Sequence, residues 1–394
     1  MRIVLPFAFY LLALLLGLAL RFFFVAPFGG IDFGNAVHAH SHTLYFGWVG
    51  LGIFTLAFAR LGADDRGVRA VLGSIALVSA ATFLAFLEGG YSLPGIVVSS
   101  VALLVWAAAV ALFWRRARGR EGVDLAFLRA GMAYVVLASL GACARVAILA
   151  LGVRDPLPGK LAVFAFLHDF AWFFVLGVFA LVAWQAPRLG TRLDDRLLRW
   201  QLRLTVPFAW LTFPLGVPGG SAGALGLVAS VAALALLLPA AIGCWNLWQA
   251  SRGAAPEGAT ALRWLAFWFG LQALLEAAGA LGLAAPAVQS RHLAIAYLHV
   301  LLVGFVSGGL ALALLAGAGV RAGAAAWWHN LGMAMMGLGL ALAGGGVFGF
   351  GGAARPGLWL AALGGAAVVV GAFAFARRAL AAVRHRVGGF SPQS

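Results

Sequence analysis

Six of the eight histidines fall in three short stretches of a chain that is 63% hydrophobic. HAHSHTLYFGWVG sets His38, His40 and His42 at every second position ahead of a long apolar run. His168 precedes Asp169 within another run, and His292 and His299 stand seven apart in a third. Neutral imidazole is the commonest protein metal ligand. Imidazoles on facing helices are how bundles hold metals and haem in their cores. At ~100° per helical residue, His38 and His42 share a face and His40 points away. His292 and His299 also share a face, about 10 Å apart in height. The chemistry that these residue types and spacings point to is metal or haem ligation.

The elements that must position these side chains are apolar. Only 10% of residues are Asp, Glu, Lys or Arg and the mean hydropathy is +1.00, against about 25% charged in soluble domains. A formal charge of +15 would suit nucleic acid if it were gathered on a domain face. Here the basic residues lie in short loops between apolar runs, so they read as topology anchors and no nucleic-acid partner is expected. Cys143 and Cys244 both fall inside apolar runs, which excludes a disulfide framework or a paired-thiol site. One Lys beside 26 Arg, with abundant Ala and Gly, is a composition typical of GC-rich bacterial genomes.

Twelve runs, near 3–26, 36–60, 67–89, 95–114, 125–152, 160–186, 200–217, 222–248, 260–283, 291–316, 325–347 and 357–380, are dense enough to cross a bilayer. They must do so as helices, because lipid satisfies no free backbone group. The first imitates a signal peptide, but its apolar stretch is too long and no A-x-A site follows, so it is read as span 1. Loops alternate in Arg and Lys content, 21 on one side against 5 on the other (Arg21, Arg154, Lys160, Arg291 and Arg355), with Arg145 inside a span. The positive-inside rule then places both termini in the cytoplasm. The expectation is an all-α polytopic protein of the bacterial inner membrane. It has about 12 transmembrane helices, forms a single transmembrane domain over residues 1–394 and has the lipid bilayer as a partner. Its oligomeric state is left open.

Ionisable residues inside spans are costly and ordinarily face a bundle interior or a site. In this orientation His38, His40, His42, His168, Asp169, His292 and His299 converge on the outer third of the bilayer, joined by Glu88, Arg145 and Glu276. A lone interfacial histidine is usually a wet side chain, and a lone His168 a satisfied core histidine. The shared depth of three separate runs is what favours ligation. Tyr45, Phe46, Trp48, Trp172, Phe173, Phe174 and Tyr297 flank the histidines as core packing or as the wall of a macrocycle. Gly47, Gly50 and Gly304 permit close approach of a flat ring or of another helix. Arg145 and Arg291 are candidate partners of haem propionates, since Arg pairs bidentately with carboxylates; pairing with Glu88, Asp169 or Glu276 is the structural alternative. His329, near an inner end, and His385, in the tail, read as non-functional.

Twelve spans, a histidine at the outer end of span 2, one on span 6 and two on span 10 resemble the catalytic subunit of haem–copper oxidases and nitric-oxide reductases. HAHSHTLYFGWVG and HLAIAYLHVLLVGFVSGG also look like the H-x-H and H-x-x-x-x-G segments of related single-subunit proteins, including the haem- and copper-containing NnrS family. The resemblance implies that His42 or His40 is one axial ligand of a low-spin haem b and His299 the other. It implies that His292 is a second span-10 ligand and that His168 takes the span-6 copper position, so that a second metal, copper or iron, accompanies the haem. The pattern departs in three places. Span 7, RLTVPFAWLTFPLGVP, has no histidine pair; position 172 is Trp where the family has Tyr; and the span-10 histidines are seven apart rather than two. These departures weigh against an oxygen-reducing centre. Inner halves nearly free of acids weigh against proton pumping. Glu88 or Glu276 would deliver protons from outside, and a periplasmic donor would supply electrons.

The leading reading is thus a membrane haem protein of electron transfer or nitric-oxide handling, with oxidoreductase activity as a possible extension. The alternatives are a metal-ion transporter with an outer histidine site, since His38 and His42 can hold zinc or copper without haem, and a non-catalytic membrane subunit.

Overall fold

The computed structural model describes residues 3–30, 32–217, 223–282, 290–348 and 351–388. The structure is 88% helical, and among the described residues there is no strand. The few acids explain where many helices begin. Asp32, Asp65, Asp155 and Asp194 each cap a helix by accepting from backbone N–H groups of its first turn, at 2.7–3.2 Å. Each satisfies donors that the helix leaves free. Proline occupies the first turn of three helices, one of them the helix that Asp155 caps, where its missing N–H costs nothing.

We number the helical rods α1 Val4–Val25, α2 Phe33–Arg60, α3 Arg66–Gly89, α4 Leu93–Ala117, α5 Val123–Ala150, α6 Pro156–Gln185, α7 Asp195–Ala209, α8 Gly223–Gly253, α9 Pro256–Ala280, α10 Arg291–Gly317, α11 Ala324–Gly344 and α12 Ala354–Gly388. Among the described residues nine of these (α1 to α6, α8, α10 and α12) are long and apolar enough to cross a membrane. The chain is therefore a multi-pass helical membrane protein. The remaining three rods, α7, α9 and α11, fall short in length or hydropathy.

The run expected at 200–217 is half α-helix and half 3-10 helix. After α7 the chain tightens into a 3-10 segment over Trp210–Gly216. Pro207 and Pro214 lie within these turns, and each removes a backbone donor that a continuous α-helix needs. α8 is broken at Leu236, between its halves Gly223–Ala235 and Leu237–Gly253, just ahead of Pro239.

Two rods are central. The most apolar 18-residue stretches of α2 and α10 are 83% and 89% buried, against 28–56% for the other seven membrane-length helices. α2 and α10 meet directly, because Gly52 leaves space for Leu310 and the Trp48 Nε1–H donates to Ser307 Oγ at 2.9 Å. α1 packs beside both. α11 and α12 form the tightest pair: a Cβ at Gly332, Gly339, Gly357, Gly364 or Gly371 would strike the partner's backbone. Small residues allow such close crossings where lipid offers no hydrophobic drive between helices. At the arginine-rich end, Arg60 donates to Asp124 and joins α2 to α5.

Candidate functional site

α2 and α10 share a local design. Each is α-helical up to a histidine, His42 or His299, and then widens into an eight-residue π-helix, Thr43–Gly50 or Val300–Ser307. The two stretches are HTLYFGWVGLG and HVLLVGFVSGG. Both carry the histidine, a glycine five residues on, an aromatic residue next and a valine after that. Single-turn π insertions are uncommon and concentrate at functional sites. The glycines admit rings from neighbouring helices: Phe9 lies on Gly47, Trp106 on Gly50 and Trp268 on Gly304.

At the arginine-poor end, α1, α2 and α10 bring two imidazoles to one cation. His40 Nδ1 bonds the Ala13 carbonyl at 2.8 Å, and Gly17 one turn on leaves room for its ring. His299 Nδ1 bonds the Ile295 carbonyl at 2.7 Å. A ring N–H given to a backbone carbonyl fixes the tautomer and leaves Nε2 as the basic, ligating nitrogen. The Arg21 guanidinium donates to His299 Nε2 at 3.1 Å. It also lies within electrostatic reach of His40, His292 and Arg291. Arg21 is only 8% exposed, and among the described residues no carboxylate pairs with it. A buried cation without a counter-charge is expensive.

The rest of the expected residues distribute around this centre. His292 faces α1 through an edge contact with Phe24 at 5.1 Å, on the same side of α10 as His299, and its buried Nδ1 has no partner among the described residues. Arg291 stacks over Phe33 at 4.7 Å and Phe24 at 5.6 Å, at the rim of the same cluster. His42 turns to α3, stacked on Phe86 at 4.1 Å with its Nδ1 bonded to the His38 carbonyl at 2.9 Å. His38 packs edge-on against Tyr91 beside it. The helical offset that separates His40 from His38 and His42 is thus realised. It makes His40, rather than His42, the α2 histidine that shares Arg21 with His299.

His168 stands apart. Its Nε2 lies 2.8 Å from Thr212 Oγ1 and 3.2 Å from the Trp172 indole N–H, and its Nδ1 is 3.4 Å from the buried Asp169. Glu276 accepts from Gln272 at 2.8 Å, next to Tyr297 on the α9 side of α10. Glu88 is exposed at the end of α3, and only its carbonyl is engaged, by Asn35. Arg145 rests on Gly159 at the start of α6. Neither acid nor Arg145 touches the His40–His299 pair. The side chain of His385 lies outside the described residues.

Two features were not anticipated from the sequence. Arg21 was grouped with the loop cations, although it sits inside the run LGLALRFFF, five residues after the last polar-free turn began; an arginine so placed is itself a signal. His329, read as non-functional, is the most buried histidine at 0% exposure and is bonded through Nε2 to the Tyr10 hydroxyl at 2.8 Å.

Among the described residues no three His, Cys, Asp or Glu side chains converge as a metal site. An ion held by protein donors alone ordinarily takes three or four. A macrocycle that brings its own four equatorial nitrogens needs only two axial donors; His40 and His299 match that number, with the Arg21 guanidinium on His299 Nε2 and Arg291 at the rim. No protein-family model matches the chain, and no curated protein proves similar to it.

Proposed function

We propose that this chain is a haem-binding protein of the bacterial inner membrane, similar in plan to the haem–copper oxidase and nitric-oxide reductase catalytic subunits, working in electron transfer or nitric-oxide handling. One observation carries the reading: on the two most buried helices, two imidazoles have carbonyl-anchored Nδ1 atoms, His299 accepts from the buried Arg21, His40 lies within its electrostatic reach, and among the described residues no acid pairs with it. His40 and His299 would be the axial ligands of a haem b. Arg21 and Arg291 would hold its propionates. When bound, such a haem supplies one-electron chemistry; the protein orients the imidazoles and excludes water.

The same reading makes all twelve rods spans, with both termini in the cytoplasm. α7 with its 3-10 extension runs antiparallel to α8 along its length: Asp194 binds Asn246 at one end, and Thr212 meets His168 of α6 at the other. The His168–Asp169–Thr212 group is where a second metal would have to form. With one imidazole there, it is a poorer site than the first.

Absorption spectra of the detergent-purified protein, oxidised and dithionite-reduced, with a pyridine haemochrome assay, test the proposal. A Soret band and sharp reduced α and β bands are expected. A colourless protein, expressed with haem supplied, would put a metal-ion transporter or a non-catalytic subunit in its place.

A further inference from the structure

The arginine-rich half of the bundle is not featureless. The Tyr10 hydroxyl bonds His329 Nε2 at 2.8 Å. The Tyr10 ring stacks on Trp48 at 4.2 Å with 14° between planes. Ser307 accepts from Trp48 and donates to the Leu302 carbonyl. All of these side chains are fully buried. They join α11 through α1 to the seam where α2 and α10 cross.

The far side of His329 is open to a cavity. It is lined by His329, Asn330, Gly308, Leu312, Ala322 and Phe375, among others, and holds about 10 Å³, the space that one water needs. Ala322 places it against the loop between α10 and α11, at the arginine-rich end. His329 Nδ1 is buried and has no partner among the described residues. An unsatisfied buried ring nitrogen is costly, and a water in the adjoining cavity removes that cost. Tyr10 is the titratable group that faces His329. Its other neighbours are Phe375, Gly308 and Gly371; Asn330 is engaged with Trp268 and the Ala326 carbonyl.

We propose that this is a proton inlet from the arginine-rich side: a water in the cavity that exchanges protons with His329. With Nε2 accepting the Tyr10 O–H, the ring proton sits on Nδ1, which gives it to the cavity water and takes one back from the same water, so that no proton is left without a partner. No acid is needed, so the scarcity of carboxylates in the inner halves does not close this half of the bundle to protons. The inference stands apart from the haem reading, because its test reads the imidazole itself.

The full-length protein, labelled with nitrogen-15 histidine and held in lipid bilayers, is transferred to deuterated water. Ring N–H exchange is then followed by solid-state NMR, with His329 assigned through the resonance lost in His329→Gln. Wild-type His329 should exchange within minutes despite its burial. Gly308→Ala is the decisive variant, because its added methyl would sit 3.6 Å from Leu265 and 3.8 Å from the His329 ring, filling the cavity without a clash. It should slow exchange by about tenfold or more, and Ala326→Val, on another wall, should do the same. Tyr10→Phe should leave exchange at His329 fast, because the inlet lies on the other side of the ring. Protection of wild-type His329 for hours, or equal rates in wild type and both plugged variants, would overturn the inlet. Slowing by Tyr10→Phe alone would show that protons arrive from the seam instead.

Discussion

The two regions where α1 meets histidines of other helices differ in what their polar atoms lack. Around Arg21 the bonds are made but the charge is unbalanced: His40 and His299 have their Nδ1 atoms tied down, and among the described residues no acid meets the buried guanidinium. Around Tyr10 there is no net charge to balance, but one ring nitrogen has no bond and a water-sized space lies beside it. About 16 Å of helix separates Tyr10 from Arg21 at 1.5 Å per residue. Tyr10, Ala13, Gly17 and Arg21 form one stripe, which meets His329, His40 twice and then His299. The lesson is that an orphaned charge points to an ionic ligand, while an orphaned lone pair or N–H points to water.

That contrast breaks most sharply on ligand loss. His40→Ala and His299→Ala should each lower the Soret absorbance per protein by about tenfold or more, since each removes an axial ligand. His42→Ala and His329→Ala should change it less than about twofold. Equal loss from His329→Ala would erase the distinction between the regions, and loss from His42→Ala but not His40→Ala would transfer the site to the α3 side. Arg21→Leu comes next: haem retention on a competing apo-globin should weaken by about 10-fold to 100-fold, the range for groups that orient ligands. Tyr10→Phe should leave the Soret band alone. It should lower the stability measured by thermal or denaturant unfolding in detergent by about 1–3 kcal/mol, because His329 Nε2 loses its partner. The smallest effect belongs to the rim. Arg116→Ala removes the pair with Asp65, whose side chains are each 40% exposed, and should cost at most about 1 kcal/mol and shrink further in high salt.

The rods were legible because a membrane forces every span to be an apolar helix, so composition alone draws them. The 100° rule separated His40 from His38 and His42, whereas nothing in the sequence marked α2 and α10 as the two most buried rods. Other features were hidden for identifiable reasons. A π-helix differs from an α-helix only in which carbonyl each N–H chooses, and no residue type declares that choice. The parallel between HTLYFGWVGLG and HVLLVGFVSGG shows only when the two stretches are laid together, since they lie too far apart in the chain to stand out as a tandem repeat. Arg21 was misplaced because counting loop cations treats an arginine near a span's end as solvated, whereas its position against α10 makes it buried. His329 lacked nearby acids or histidines in sequence. Its partner, Tyr10, comes from 319 positions away.

The π-helical segments have a consequence for how these helices tolerate length changes. An eight-residue π stretch holds about one residue more than an α-helix of the same rise. Removing a single residue from Thr43–Gly50 or Val300–Ser307 would let the stretch relax into α-helix while both ends stay at their heights in the bilayer. The histidine-bearing half would keep its depth, and so would the half that packs the seam. A one-residue deletion in either segment is therefore an indel that the membrane does not notice as a change of span, even where the packing does.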